Sequence, residues 1–307
     1  MKGKTILITG GSGSFGNAFV RKVLPMEPAK IIIYSRGEQL QEAMAHHFDH
    51  PAMRFFIGDV RDRKRLEMAM YGADLVVHAA ALKIVPTCEY NPFEAVMTNI
   101  HGAENVCRAA MATGVSRVVA LSTDKAVSPL NLYGATKLAA EKIMVAANNL
   151  AAGRCQFSVV RYGNVVGSRG SVVPLFKSLH ARGLPLTITD QRMTRFWMTL
   201  DEAVDFVLSS ESMMKGREIF VPKIPSVHIM DLVEAIDPGG NHSMIGIRAG
   251  EKLHETLITD DESHMALESW DRYILNPDTT NNTKPGMRYS SDTNERFLSV
   301  EEIRDTL

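Results

Sequence analysis

The sequence predicts a doubly wound α/β fold: a parallel sheet with helices on both faces. Three observations point there. Short runs rich in Val, Ile or Phe alternate with helix-length segments through the first half of the chain. Those runs are almost continuously apolar, as strands buried on both faces must be. The first of them leads directly into a glycine-rich turn.

In order, the strand-like runs are "TILIT" (5–9), "KIIIYS" (30–35), "MRFFIG" (53–58), "DLVVHA" (74–79), "RVVALS" (117–122) and "FSVVRY" (157–162). Between them, "NPFEAVMTNIHGAENVCRAAMATG" (91–114) reads as a helix, with Pro92 near its start and Gly114 at its end. After Gly163 the rhythm loosens and Gly and Pro increase, which predicts a smaller C-terminal lobe. Segments near 191–225 are expected to return to the main domain. "NPDTTNNTKPG" (276–286) predicts an irregular or mobile loop.

Bulk properties narrow the function. The chain has 307 residues, 45% hydrophobic and 22% charged, with net charge −1 and pI near 6.8. Nothing there favours a nucleic-acid surface or an anionic membrane. No apolar run is long enough to span a bilayer. The start, "MKGKTILITGG", leaves no room for a signal peptide. Cys88, Cys107 and Cys155 are widely spaced, predicting reduced thiols in a cytoplasmic protein and no metal site.

The first turn, "TGGSGSFG", places Gly10, Gly13 and Gly16 between the first strand and the first helix, with Ser12, Ser14 and Phe15 among them. Glycines there allow the tight turn and let the backbone approach a pyrophosphate on the helix N-terminus. The second strand ends in Ser35 and Arg36, not in the acid that would grip a ribose 2′-hydroxyl. That favours NADP over NAD. Asp59 and Val60 follow the third strand, where Asp59 suits either an adenine edge or a loop cap. Ala79 and Ala80 follow the fourth, and their small side chains suit a cofactor lying close.

Tyr133 and Lys137 are four apart, so on a helix they share a face. As a cation Lys137 would lower the Tyr133 pKa and make the phenol a usable acid/base for a hydroxyl being oxidised. Ser122 and Thr123, at the preceding strand end, complete such a set. Beside them Asp124 and Lys125 add an acid and an amine that simple hydride transfer does not need.

Together "TGGSGSFG", "STDKAV" and "YGATK" resemble the extended short-chain dehydrogenase/reductase superfamily. "FSVVRYGNVVGSRGSVVPLF", "MTRFWMT", "IRAGEKLHE" and "RYSSDTNERFLS" narrow the resemblance to nucleotide-sugar 4,6-dehydratases. Among these the chain is most similar to those that invert C5 of UDP-N-acetylglucosamine at the start of pseudaminic acid biosynthesis. The resemblance implies a Rossmann-like NADP domain over 1–165, a UDP-sugar lobe mainly over 166–307, and a homo-oligomer, dimer or hexamer. It implies oxidation at C4 by Thr123, Tyr133 and Lys137, loss of water across C5 and C6, and hydride return to C6. Asp124 then protonates the leaving hydroxyl, and Lys125 either takes the C5 proton, with Tyr133 serving at C5 from the other face, or only orients the substrate.

Only a neutral amine is a base, so Lys125 needs a lowered pKa. Two effects are expected to supply it: adjacent residues at a strand end point to opposite sides, and burial and Lys137 both disfavour the ammonium. By the resemblance, Lys83, Asn164, Arg169, Arg195, Arg248 and Glu251 meet the substrate. His254, on an expected helix with Glu255, reads as structural. The alternatives are a retaining dehydratase, a C4 epimerase, which does not need Asp124 and Lys125, and an NADP-sensing binding protein.

Overall fold

A computed structural model of the chain describes residues 1–279 and 286–307. All six strands read from the sequence are present: β1 (Thr5–Thr9), β2 (Lys30–Ser35), β3 (Met53–Ile57), β4 (Leu75–His78), β5 (Arg117–Thr123) and β6 (Gln156–Tyr162). The helices α1 (Ser14–Val23), α2 (Glu38–Phe48) and α3 (Arg63–Met70) follow the first three strands. The segment expected as one helix begins after α4 (Val85–Tyr90) with α5 (Pro92–Ala95). It passes through a π-helical turn, Val96–His101, into α6 (Gly102–Thr113), and ends at Gly114 with φ +76°. Glycine tolerates that left-handed cap. Then come α7 (Leu132–Ala151), α8 (Val172–Ala181), α9 (Leu200–Met213), α10 (Ile229–Ile236) and α11 (Val300–Asp305).

Beyond β6 the strands are short. β7 (Asn164–Val165), β9 (Thr194–Met198) and β11 (Ser226–His228) form a three-stranded sheet. β8 (Leu186–Ile188) pairs with β12 (His242–Met244), and β13 (Thr256–Ile258) with β16 (Tyr289–Ser290). β10 (Ile219–Pro222), β14 (Ala266–Glu268) and β15 (Arg272–Leu275) instead join the main sheet. Its order is β14-β15-β10-β6-β5-β4-β1-β2-β3. Pairing is parallel from β10 to β3, and β15 and β14 add an antiparallel edge. No sequence feature had marked 266–275 as sheet. Of the loop expected at 276–286, positions 280–285 lie outside the described residues.

Alternation along the strands divides the core between two faces. Leu7 and Val76 pack with Leu66 of α3, Val106 of α6 and Met144 of α7. Ile6, Ile8 and Val77 pack with Phe19 of α1, Met44 of α2 and Val204 of α9. The smaller lobe has its own core, in which Phe176, Trp197, Leu232 and Ile303 meet. Each such side chain contributes about 1.5–3 kcal/mol on burial. β2 and β4 flank β1 on opposite sides, so the order in which parallel strands are added reverses there and leaves a crevice at their carboxyl ends.

Candidate active site

The glycine turn sits at that crevice. Gly10 leaves β1 with φ +67°, and a Cβ there would lie 2.8 Å from Ala80 Cα. At Gly16 a Cβ would lie 1.9 Å from the Gly11 carbonyl oxygen. Gly13 caps the N-terminus of α1. Side chains would fill this cradle, and backbone amides at a helix start suit a phosphate. Ala79 and Ala80 close the turn from β4, their N–H groups donating to Thr9 O and Thr9 Oγ1 (3.2 and 3.3 Å). Phe15 packs beside the apolar core under α1.

At the end of β2, Ser35 Oγ lies 2.8 Å from Ser12 Oγ and accepts from Gln41 Nε2 at 2.9 Å. Arg36 is exposed, with Nη1 3.8 Å from Asp59 Oδ2. Asp59 accepts from the Arg61 N–H (2.9 Å) and from its guanidinium (2.9 and 2.7 Å). Burial raises its pKa, but Arg61 outweighs this and holds it below the usual range. These contacts tie Arg61 to the loop after β3 through Asp59. Val60 is buried against Gly102, where a Cβ would lie 2.7 Å from Val60 Cγ2.

The second cluster forms where β5 meets α7. Ser122 and Thr123 diverge. Ser122 turns into the core and donates to Glu141 Oε1 (2.5 Å). Thr123 faces the crevice, donates to Asp124 Oδ1 (2.9 Å) and hydrogen-bonds Tyr133. Asn131 caps α7 by accepting from the Gly134 N–H (2.8 Å) and donates to Gly250 O (2.8 Å).

Asp124 and Lys125 do not point apart. Lys125 Nζ lies 3.0 Å from Asp124 Oδ1 and 3.3 Å from Glu255 Oε1. The strand-end argument fails because Asp124–Ala126 is a 3-10 turn, in which alternation is lost. Burial lowers the Lys125 pKa, but the two carboxylates outweigh it and the net shift is upward. Lys137 does not govern it: the Lys137 Nζ donates to Leu121 O (2.5 Å). Nor does Lys137 lower the Tyr133 pKa. Burial pushes that phenol up to about 12, and the cation opposing the rise is Lys125. Burial also lowers Lys137 to about 8, against the pull of Glu141.

The remaining expected residues separate. Arg169 lies on the glycine turn, donating from Nη2 to Ser12 O (2.7 Å) and from its N–H to Ser14 Oγ (3.2 Å). Lys83 donates to Ser168 Oγ (3.4 Å), and its pKa falls through partial desolvation and the nearby Arg169 and Lys125. Asn164 Oδ1 is buried and, among the described residues, has no hydrogen-bond partner. Arg195 braces backbone, donating to Thr194 O, Leu253 O and Lys252 O (2.7–3.0 Å). Arg248 and Glu251 pair loosely at 3.8 Å, beside the Gly250 that holds Asn131. Residues 251–255 form no helix, and His254 Nδ1 lies 2.8 Å from Thr194 Oγ1, a structural placement.

Sequence reading missed Glu255, Asn131 and the buried Glu141–Arg161 pair. Glu255 stands inside "GEKLHE", but nothing in that string indicates which side chain turns inward. Asn131 carried a usable signal, an N-cap residue two positions before Tyr133.

The chain matches the family described as "Polysaccharide biosynthesis protein" over residues 6–277. It is 52% identical to a UDP-N-acetylglucosamine 4,6-dehydratase (inverting) of Campylobacter jejuni, covering 99% of this chain and 97% of the relative. It is 44% identical to a UDP-glucose 4-epimerase of Rickettsia conorii, covering 89% and 82%. Among solved structures it resembles DesIV, a dTDP-glucose 4,6-dehydratase of Streptomyces venezuelae with NAD and TYD bound. That likeness has TM-score 0.73 at 25% identity and covers 81% of this chain and 86% of that one. The chain belongs to this polysaccharide-biosynthesis family.

Proposed function

We propose that the chain is a UDP-N-acetylglucosamine 4,6-dehydratase that inverts C5 and uses NADP. One observation carries the reading: Thr123, Asp124, Lys125 and Tyr133 converge at the carboxyl end of β5, with Lys125 Nζ 3.0 Å from Asp124 Oδ1. An epimerase needs no such acid and amine. The 52% identity to the Campylobacter enzyme supports the same reading.

The glycine cradle, Ala79–Ala80 and the Ser35–Arg36 strand end fit a dinucleotide, and Gly10, Ser12, Gly13, Ser14, Phe15 and Gly16 would hold its phosphates. When bound, the nicotinamide supplies a reversible hydride store. NADP is favoured over NAD because no acid stands at the end of β2 and the exposed Arg36, only loosely paired with Asp59 at 3.8 Å, can meet a 2′-phosphate.

The chain's own groups move the protons. With Lys125 as the ammonium, the burial-raised Tyr133 pKa is drawn back toward the phenolate, the form that takes the C4-hydroxyl proton, while Thr123 orients both. In that form the pair cannot eliminate water, since Asp124 has no proton to give and Lys125 has no lone pair. One proton shift from Lys125 Nζ to Asp124 Oδ1, along the existing hydrogen bond, converts both. Lys125 then takes the C5 proton, Asp124 protonates the departing C6 hydroxyl, and the ion pair is restored. Lys83 and Arg169 would meet the substrate pyrophosphate, with Asn164, Arg195, Arg248 and Glu251 around the sugar and nucleoside. A homo-oligomer, dimer or hexamer, and a cytoplasmic location complete the reading, on the family resemblance.

The test is proton NMR of the purified protein with UDP-N-acetylglucosamine in D2O, with and without added NADP+. A C6 methyl signal, deuterium at C5 and the couplings of the inverted sugar are expected. Retained C5 configuration would leave a dehydratase and remove the inversion. A C4 epimer without the methyl would favour the reaction named for the Rickettsia relative.

A further inference from the structure

We infer that Glu255 is a positioning residue of the reactive centre: together with Asp124 it grips the Lys125 ammonium, fixing where Lys125 stands and the pH at which it can accept a proton. The inference rests on the dehydratase reading above.

Glu255 is 2% exposed and Asp124 fully buried. Glu255 Oε1 lies 3.3 Å from Lys125 Nζ, and Asp124 Oδ1 lies 3.0 Å from the same atom. Their other oxygens, Glu255 Oε2 and Asp124 Oδ2, are buried and have no hydrogen-bond partner among the described residues. Lys252 Nζ is 3.8 Å from Glu255 Oε2, beyond hydrogen-bond reach, and donates instead to Val127 O (2.5 Å).

A buried acid serving only the fold looks different here. Both oxygens of Glu141 are bonded, Oε1 to Ser122 and Arg161 and Oε2 to Arg161. Half-satisfied buried carboxylates cost stability and mark sites where charge is used.

Hydrogen bonds fix the Glu255 main chain beside the site. Its N–H donates to Ser291 Oγ (2.9 Å), and its carbonyl accepts from the Ser291 N–H (2.8 Å) and Ser290 Oγ (3.1 Å). Ser291 Oγ is in turn 2.7 Å from Thr194 Oγ1. The motifs "GEKLHE" and "RYSSD" thus form one brace, and Glu255 is what it delivers to the site.

The charges around Lys125 set the balance. Asp124 and Glu255 favour its proton, while Arg195 opposes it. Lys83 and Lys252 also stand close enough to feel the Lys125 charge, and Tyr133 faces it from α7. Removing Glu255 takes away one of the two carboxylates that favour the ammonium among the described residues.

The experiment uses Glu255→Gln, which keeps the shape and removes the charge. Lysines are reductively methylated with 13C, and the Lys125 resonance is assigned by its loss in Lys125→Arg. Its titration is expected to move down by about one to two pH units relative to the parent protein. The descending, alkaline limb of C5 deuterium exchange with pH should move with it, because loss of the shared proton leaves Asp124 with none to give. In a Lys125→Ala background, Glu255→Gln should change residual turnover by no more than about twofold.

An unmoved resonance, or a rate loss with an unmoved limb, would make Glu255 merely structural and overturn the proposal. If the parent protein shows no dehydration, the reaction assignment fails, and the amine titration still decides the role of Glu255. If Glu255→Gln does not fold, Glu255→Asp withdraws the carboxylate by one methylene. A smaller downward shift is then expected, and no shift overturns the proposal.

Discussion

Gly134 lies directly under the carbonyl of Lys125: a Cβ at that position would stand 2.0 Å from Lys125 O. The start of α7 therefore abuts the turn that carries Asp124 and Lys125, and only glycine permits the approach. Tyr133, its neighbour, is positioned by the same contact. Gly134→Ala is expected to push the turn and helix apart. Stability should fall by roughly 1–3 kcal/mol, and turnover by about 100-fold. Thermal unfolding and the dehydration rate check both, and a variant with normal turnover would show the contact to be incidental.

Lys125→Ala and Asp124→Asn remove opposite partners of one proton shift. Each should cut elimination by about 10²–10⁴-fold. The two losses should not add, because either variant alone abolishes the neutral pair. Rates of C5 deuterium exchange in the singles and the double measure this. Fully additive losses would mean that the residues act separately.

Arg36→Ala should weaken NADP+ by about tenfold or more and leave NAD+ nearly unchanged, since the guanidinium is proposed to meet only the 2′-phosphate. Titration of each cofactor by calorimetry reads the ratio. Equal loss for both would assign Arg36 a general electrostatic part.

Arg161 and Glu141 form a fully buried ion pair at 2.7 Å, and Arg161 also reaches Glu262 at 3.0 Å. Arg161→Met leaves both carboxylates without their cation and is expected to cost about 3–5 kcal/mol. The double variant Arg161→Met/Glu141→Gln should be less damaged than the single. Chemical denaturation of the two decides it, and equal losses would show that the stranded charge is not the cause.

Lys137 titrates at about 8 in the folded protein against 10.5 ordinarily, because burial disfavours its ammonium. Below pH 8 it is protonated in both states, and the penalty is fully present. Between pH 8 and 10.5 the unfolded chain binds more protons, so this contribution to stability rises with pH, by at most about 3 kcal/mol. Lys137→Met escapes the penalty. Its stability relative to the parent should therefore be most favourable at pH 7 and decline towards pH 10. A pH-independent difference in denaturation midpoints would show the ammonium to be well solvated.

The sequence by itself determined the six parallel strands β1 to β6 of the main sheet and the glycine turn that follows the first of them. Short apolar runs rich in β-branched residues and bounded by turns suit strands covered on both faces, and the spacing Gly10, Gly13 and Gly16 has few uses after a first strand. These are local signals, carried by neighbours in the chain. The same holds for Tyr133 and Lys137, whose shared face follows from helical periodicity.

What only the tertiary structure decided is which charges meet. Lys125 reads as a base while Asp124 is its only known neighbour and is taken to point away; the 3-10 turn brings Asp124 back, and a loop far along the chain adds Glu255. Ser122 and Thr123 are indistinguishable as text, yet one faces Glu141 and the other Tyr133. Arg169 comes to the glycine turn through Ser12 and Ser14, a contact that its position in the sequence does not show. A pKa depends on distances of a few ångströms between residues far apart in sequence, so proton affinity is a property of the packed site and is absent from the string of residues.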